Sequence, residues 1–172
     1  METALVSVEE YLHTSYEPDV DYLEGELEER NVGEFDHSTV QQMVWLWLHN
    51  HRNEWKIRPV IEQRTRLTPT RIRVPDVCVF SKETPIEQVF TRPPLVAIEI
   101  LAPEDRHRRM QTRIDDYIRF GVNNIWVIDP TTREGWNCSS GDWVRSDRFQ
   151  VPDSEIYLSL AELFAQVDEE RV

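Results

Sequence analysis

The sequence predicts an α/β domain built around a mixed sheet, in the order helix, three strands, helix, strand, with accessory hairpins at either end. Three observations carry this expectation. Val40, Met43, Val44, Trp47 and Leu48 recur at helical spacing, and so do Met110, Ile114, Tyr117 and Ile118. Residues 95–101 and 125–128 are short apolar runs of the kind found in strands covered on both faces. These runs flank the second helix, leaving room for a right-handed parallel crossover.

Each element has its own signal. Ser7-Val8-Glu9-Glu10 is a capping box that opens a short helix with Val8, Tyr11 and Leu12 on one face, ended by Tyr16-Glu17-Pro18. Residues 19–29 form a small hairpin turned at Glu24-Gly25. The first long helix starts at Asp36, with Asp36 or Ser38 as its cap. Residues 57–66 and 71–80 are two strands separated by Thr68-Pro69-Thr70, and Pro75 inside the second implies an edge, a bulge or a late start. A loop over 81–93 leads to the strand at 95–101. The second long helix spans 105–120 and Gly121 caps it. The next strand ends at Asp129-Pro130. Residues 133–138 and 143–145 pair around Ser139-Ser140-Gly141-Asp142, and a second capping box, Ser159-Leu160-Ala161-Glu162, opens a final helix.

With 172 residues, 40% apolar and 30% charged, the chain reads as a single domain over 1–172. No apolar run reaches the roughly 18 residues of a membrane span, and Met1-Glu2-Thr3-Ala4-Leu5-Val6 lacks the features of a secretory leader, so a cytoplasmic location is expected. Cys78 and Cys138 lack metal-ligand spacing and read as reduced core thiols. The net charge of -13 opposes a sequence-blind grip on phosphate, but positive charge is concentrated: residues 56–73 carry a balance of +5 and residues 106–119 one of +3.

Glu99 interrupts an apolar strand, where an unpaired carboxylate loses several kcal/mol of solvation and must neutralise or find a cation. Asp76, after Pro75, raises the same question on the preceding strand. Each taken singly is explained by pairing with a local Arg. Taken together, two carboxylates on neighbouring strands repel, and Mg²⁺ or Mn²⁺ between them resolves the repulsion while suiting phosphodiester hydrolysis by a metal-activated water.

Val74-Pro75-Asp76 followed by Ala97-Ile98-Glu99-Ile100-Leu101, within this order of elements, resembles the PD-(D/E)xK nucleases of restriction-endonuclease-like fold. More narrowly, the chain is similar to a bacterial family of endonuclease-like proteins long catalogued as a domain of unknown function. The shared segments are Val8-Glu9-Glu10-Tyr11, Tyr22-Leu23-Glu24-Gly25-Glu26-Leu27, His37, Arg73-Val74-Pro75-Asp76-Val77, Ile98-Glu99-Ile100-Leu101-Ala102-Pro103, and Tyr117 through Gly121-Val122 to Trp126-Val127-Ile128-Asp129-Pro130. The resemblance implies a metal-dependent DNA endonuclease with Asp76 and Glu99 as metal ligands. It further implies an early acid, Asp21 or Glu26, and His37 at the opening of the first core helix.

The departures weigh as much. Leu101 stands where the wider superfamily has Lys, and Arg113 stands where the narrower family places that Lys. Arg109, one turn earlier, replaces an acid. Lysine can shift its pKa and act as a base, whereas arginine stays protonated. Arg113 would therefore only donate hydrogen bonds or stabilise negative charge. Arg64, Arg66, Arg71 and Arg73 alternate on strands, and Arg106, Arg108 and Arg109 open the second helix; they form either a phosphate-binding rim or ion pairs with the abundant acids. Trp45, Trp47 and Trp126 read as core or interface residues, with Trp45 off the main helical stripe.

The leading expectation is Mg²⁺-dependent DNA cleavage, for which one site per chain would favour a homodimer. The first rival is a catalytically impaired member acting as a nucleic-acid-binding or protein-interaction module. The second is an acidic structural domain in which Glu99 pairs with an Arg of the following helix.

Overall fold

A computed structural model describes residues 4–172; Met1 to Thr3, part of the segment read for a leader, lie outside the described residues. In chain order the elements are α1 (Val8–Leu12), β1 (Asp21–Leu23), β2 (Glu26–Glu28), α2 (Phe35–Asn50), β3 (Ile57–Ile61), β4 (Thr65–Thr68), β5 (Arg71–Arg73) and β6 (Val77–Ser81). There follow β7 (Val96–Ile100), α3 (His107–Phe120), β8 (Asn124–Asp129), β9 (Glu134–Asn137), β10 (Val144–Arg145), β11 (Arg148–Gln150), β12 (Tyr157–Ser159) and α4 (Leu160–Glu169). The central sheet has six strands in the order β10-β9-β8-β7-β6-β3. Only β7 and β8 run parallel within it, and α3 makes the crossover between them. The α/β class and mixed sheet are those expected from the sequence.

Strand alternation divides the core in two. Ile98 and Ile100 of β7, Val77 and Val79 of β6, and Trp126 and Ile128 of β8 pack with Val40, Val44 and Leu48 of α2 and Leu163 and Phe164 of α4. Ala97, Ile125 and Val127 point the other way, against Met110, Ile114 and Tyr117 of α3. Each fully buried side chain of this size contributes about 1.5–3 kcal/mol. Glu99 follows Ala97 in the two-residue repeat, so it emerges on the α3 side.

The capping boxes form: Glu10 N donates to Ser7 Oγ at 3.1 Å, and Glu162 N to Ser159 Oγ at 3.4 Å. Gly121 closes α3 with φ of 100°, a left-handed conformation that favours a residue without Cβ. The two expected strands at 57–66 and 71–80, however, each break into two. The first bends at Glu62, whose φ is 49°, and the second at Val74-Pro75-Asp76, where Pro75 has no N–H for a ladder. The halves β4 and β5 leave the central sheet and join the early hairpin in a second sheet, β2-β1-β5-β4. Glu34, rather than Asp36 or Ser38, occupies the N-cap of α2, without a side-chain cap bond. Helix α3 begins at His107, two residues later than expected. The β11–β12 pair had no sequence signal; it forms because Phe149 and Leu158 face each other and are buried in the α2/α4 core. Among the described residues no helix is long and apolar enough to cross a membrane.

Candidate active site

Asp76 precedes β6, whose Val77 pairs with Ile98 of β7 in antiparallel register. One step beyond that pair stand Asp76 and Glu99. Directly opposed residues of antiparallel strands project to the same face, and both carboxylates accordingly line one cavity of about 20 Å³ with Arg30, Asp105, Arg109 and Arg113. That volume admits about one water.

Glu99 is only 2% exposed. Its Oε1 accepts from Arg113 Nη2 at 2.9 Å, from Arg113 Nε at 3.2 Å, and from the Tyr117 hydroxyl. Arg113 and Tyr117 are four residues apart, so one face of α3 presents both. Every hydrogen bond to this carboxylate goes to Oε1; Oε2 receives none among the described residues. Burial pushes the Glu99 carboxyl up to about 7, Arg113 pulls it down, and the charge of Asp76 raises it further.

Asp76 behaves in the opposite way. Its Oδ1 accepts from Arg30 Nη2 at 2.7 Å and its Oδ2 from the Ile100 backbone N–H at 2.8 Å, with His37 Nε2 at 3.4 Å. Burial resists ionisation here too, but the bond and charge of His37, with the charge of Arg30 and the Ile100 amide, hold the carboxyl well below the ordinary range. Burial disfavours the His37 cation, yet Asp76 lifts its pKa above the usual value. Arg30 lies in the loop between β2 and α2 and nothing in its local sequence singles it out. It meets Asp76 only because the hairpin folds across the end of β6.

Of the two early acids, Asp21 enters the site and Glu26 stays exposed at the tip of the hairpin. Asp21 Oδ2 accepts from Arg73 Nη1 at 2.9 Å and from Arg113 Nη1, while Oδ1 accepts from Val74 N at 2.8 Å. Asp21 thus steadies the bend between β5 and β6 that positions Asp76, and the arginine that holds Glu99. In the register of β1 with β2, Glu28, not Glu26, stands opposite Asp21. Sequence reading passed over Glu28, Asp116, Tyr117 and Arg30 as site residues. For Tyr117 the four-residue spacing from Arg113 was an available signal.

The basic residues separate into two groups. Arg73, 1% exposed, spends its guanidinium on Asp21, Glu28 and Asp116. Arg64 binds Asp19 at 2.7 Å, and Arg71 binds Asp116 at 2.8 Å and Glu24 at 2.7 Å. These three, read from the sequence either as a phosphate rim or as ion-pair partners of the acids, take the second role, with acids of the early hairpin and its approach and of α3. Arg66 donates to the Pro69 carbonyl at 2.7 Å. Arg106 and Arg108 are exposed and form no ion pair among the described residues. Arg109 binds Glu28 at 3.2 Å and lines the cavity. Trp126 is core; Trp45 and Trp47 are half-buried, their indole N–H groups donating to the carbonyls of Pro59 at 3.2 Å and Tyr157 at 2.7 Å.

The fold would imply a divalent ion between Asp76 and Glu99, but the donor set in this arrangement does not fit one. Both Asp76 oxygens are taken, Asp105 is bonded to Asn31 and the Ala102 amide, and Glu99 offers Oε2 alone. Three guanidinium groups share the cavity. Among the described residues no group of three or more His, Cys, Asp or Glu is placed to hold a metal. A hard dication takes several oxygen ligands and gains nothing from neighbouring fixed cations.

Comparison with known proteins gives a consistent picture. No curated protein matches the chain. A solved structure described as "a putative nuclease belonging to DUF820", from Anabaena variabilis ATCC 29413, superposes with a TM-score of 0.77. It is 23% identical and the match covers 93% of this chain and 98% of that one, so the two share the restriction-endonuclease-like fold. The family model Uma2, described as "Putative restriction endonuclease", matches residues 8–164. The chain therefore belongs to the Uma2 family, within the restriction-endonuclease-like superfamily.

Proposed function

We propose that the chain binds DNA across the mouth of the Asp76–Glu99 cavity and does so without metal-dependent turnover. The observation that carries this reading is the lining of the cavity, where Arg30 pairs with Asp76, Arg113 pairs with Glu99, and Arg109 adds a third guanidinium. Arg106 and Arg108 extend the positive charge outward over the start of α3. Cations there oppose the helix dipole, at a cost of about 0.3–1 kcal/mol each. Three arginines, Arg106, Arg108 and Arg109, stand at that helix start in a chain of net charge -13, a placement that local stability does not favour. A DNA phosphate suits this reading, because a helix N-terminus and arginines unpaired among the described residues, such as Arg106 and Arg108, are both donors to phosphate. Because charges more than about 10 Å apart are screened, the acidic remainder need not defeat a local contact. Fluorescence anisotropy with a labelled duplex tests this. Binding should weaken with salt, and the double variant Arg106→Ala/Arg108→Ala should flatten the log–log salt slope by about 2. No salt-sensitive binding at low ionic strength would sink the reading.

A second reading, DNA hydrolysis with Mg²⁺ or Mn²⁺ at Asp76 and Glu99, is favoured by the hydrogen-bond-free Oε2 of Glu99 beside an ionised Asp76. It requires Arg30 to leave Asp76, and cutting both strands with one site per chain would require a dimer. Metal-dependent nicking of plasmid DNA, abolished by Asp76→Asn, would establish it in place of the first.

A further inference from the structure

We propose that Arg30 is a tethered cation that occupies the divalent-ion position at Asp76, so that the guanidinium and a metal ion exclude one another. The inference rests on Asp76 and Glu99 being the family's working pair, and it concerns what keeps that pair closed.

Three features carry it. Arg30 Nη2 lies 2.7 Å from Asp76 Oδ1, and its side chain is only 4% exposed. A buried carboxylate demands a cation, and this one comes from the chain itself. Second, the guanidinium is poorly satisfied otherwise: Nη1 has no hydrogen-bond partner among the described residues, and the carboxylate of Glu62 lies 4.0 Å away. An arginine placed purely for structure normally uses its whole fork, as Arg73 does on Asp21, Glu28 and Asp116. Arg30 is held mainly by the charge it neutralises. Third, Arg30 sits in the irregular segment between β2 and α2, so withdrawing it disrupts no helix or strand. Beside it opens a larger pocket of about 230 Å³, lined by Arg30, Asn31, His37, Ala102 and Glu104, into which the side chain can swing. Arg113 differs: its bonds to Asp21, Glu99 and the Val74 carbonyl anchor it from several sides. Withdrawing Arg30 would therefore free Asp76 Oδ1 on the cavity that Glu99 also lines, giving it two carboxylates, the protein share that a hydrated Mg²⁺ or Mn²⁺ commonly uses.

The test is calorimetric titration of the full chain with MnCl2, alongside thermal unfolding with and without Mn²⁺, for wild type, Arg30→Met, Arg30→Gln and the pair Arg30→Met/Asp76→Asn. Arg30→Met and Arg30→Gln should bind one Mn²⁺ at least tenfold more tightly than wild type. Mn²⁺ should raise their melting temperature, and Asp76→Asn should remove both effects. A variant that unfolds alone and refolds with Mn²⁺ supports the proposal equally, since one cation has replaced another. The proposal is overturned if wild type binds Mn²⁺ through Asp76 as tightly as the variants. It is overturned also if the variants, folded or not, fail to respond to Mn²⁺. Failure of duplex binding by wild type would remove the DNA reading and leave this outcome untouched, because no DNA is present in the titration.

Discussion

The two faces of the central sheet are built on different principles. On the α2/α4 side, Val77, Val79, Ile98, Ile100, Trp126 and Ile128 pack in hydrocarbon against Val40, Val44, Leu48, Leu163 and Phe164, and the buried polar residues of α2, His37 and Gln41, turn to Asp76 at the sheet's end. On the α3 side, Ala97, Ile125 and Val127 make a smaller apolar core, and past Ala97 the chemistry changes to Glu99, Arg113, Asp21, Arg73 and Asp116, all buried. The first face draws stability from area and the second from charge pairing that barely offsets desolvation. Stability thus resides mainly on one face, leaving the other free to hold groups that a core would not otherwise tolerate.

This comparison is sharpened by substitutions that change charge or volume separately. The largest effect is expected from Arg113→Met, which keeps the bulk but leaves Glu99 buried without its cation and Asp21 with Arg73 alone. It should cost about 3–5 kcal/mol in urea unfolding. If it costs no more than the removal of one methylene from the apolar face, the distinction collapses. The pH dependence comes next. Folded Glu99 keeps its proton to about 7, whereas unfolded it loses it near 4.5, so the native state binds more protons in that window and stability falls as pH rises through it. The slope from this group is at most about 1.4 kcal/mol per pH unit. Asp76 has the opposite sign: the stability it supplies is present above about 3.8 and is lost as pH falls below that. Glu99→Gln should therefore flatten the decline between pH 5 and 7 while leaving the acid limb in place, read from urea midpoints across pH. Ile98→Val, a change of volume alone on the apolar face, should cost about 0.5–1.5 kcal/mol at every pH. Smallest of all, Arg119→Ala removes a 74%-exposed partner of Asp116 at 3.5 Å and should shift stability by less than about 0.5 kcal/mol, because Arg71 and Arg73 already hold that carboxylate. A larger loss would show the network to be tighter at its rim than its exposure implies.

Much of this was legible in the residues. The helical repeats, the capping boxes at Ser7 and Ser159, the Gly121 cap and the apolar runs around α3 are local signals, and local sterics and hydrogen bonding enforce them wherever the chain goes. The oddity of Glu99 was likewise visible, since a carboxylate in an apolar strand needs explanation in any fold. Legibility ended where chain segments had to choose partners. Residues 57–66 and 71–80 look like two strands because each is rich in β-branched residues and holds no glycine at the bends of Glu62 and Pro75. Pro75 signalled an interruption of the second, but only the competition between two sheets for the halves revealed the break at Glu62 and the fate of Arg64, Arg71 and Arg73.

The sequence by itself determined the α/β class, the order of the core elements and the two carboxylates that demanded a partner, because periodicity and composition act over a few residues; the β6–β7 register decided that they face each other. Tertiary structure alone decided that Asp21 rather than Glu26 enters the site, that Glu99 is gripped by Arg113 and Tyr117, and that Arg30 closes on Asp76. Those outcomes depend on pairing across 14 to 92 residues of chain, where the electrostatic cost of a buried charge is settled by whichever partner the fold brings within about 3 Å.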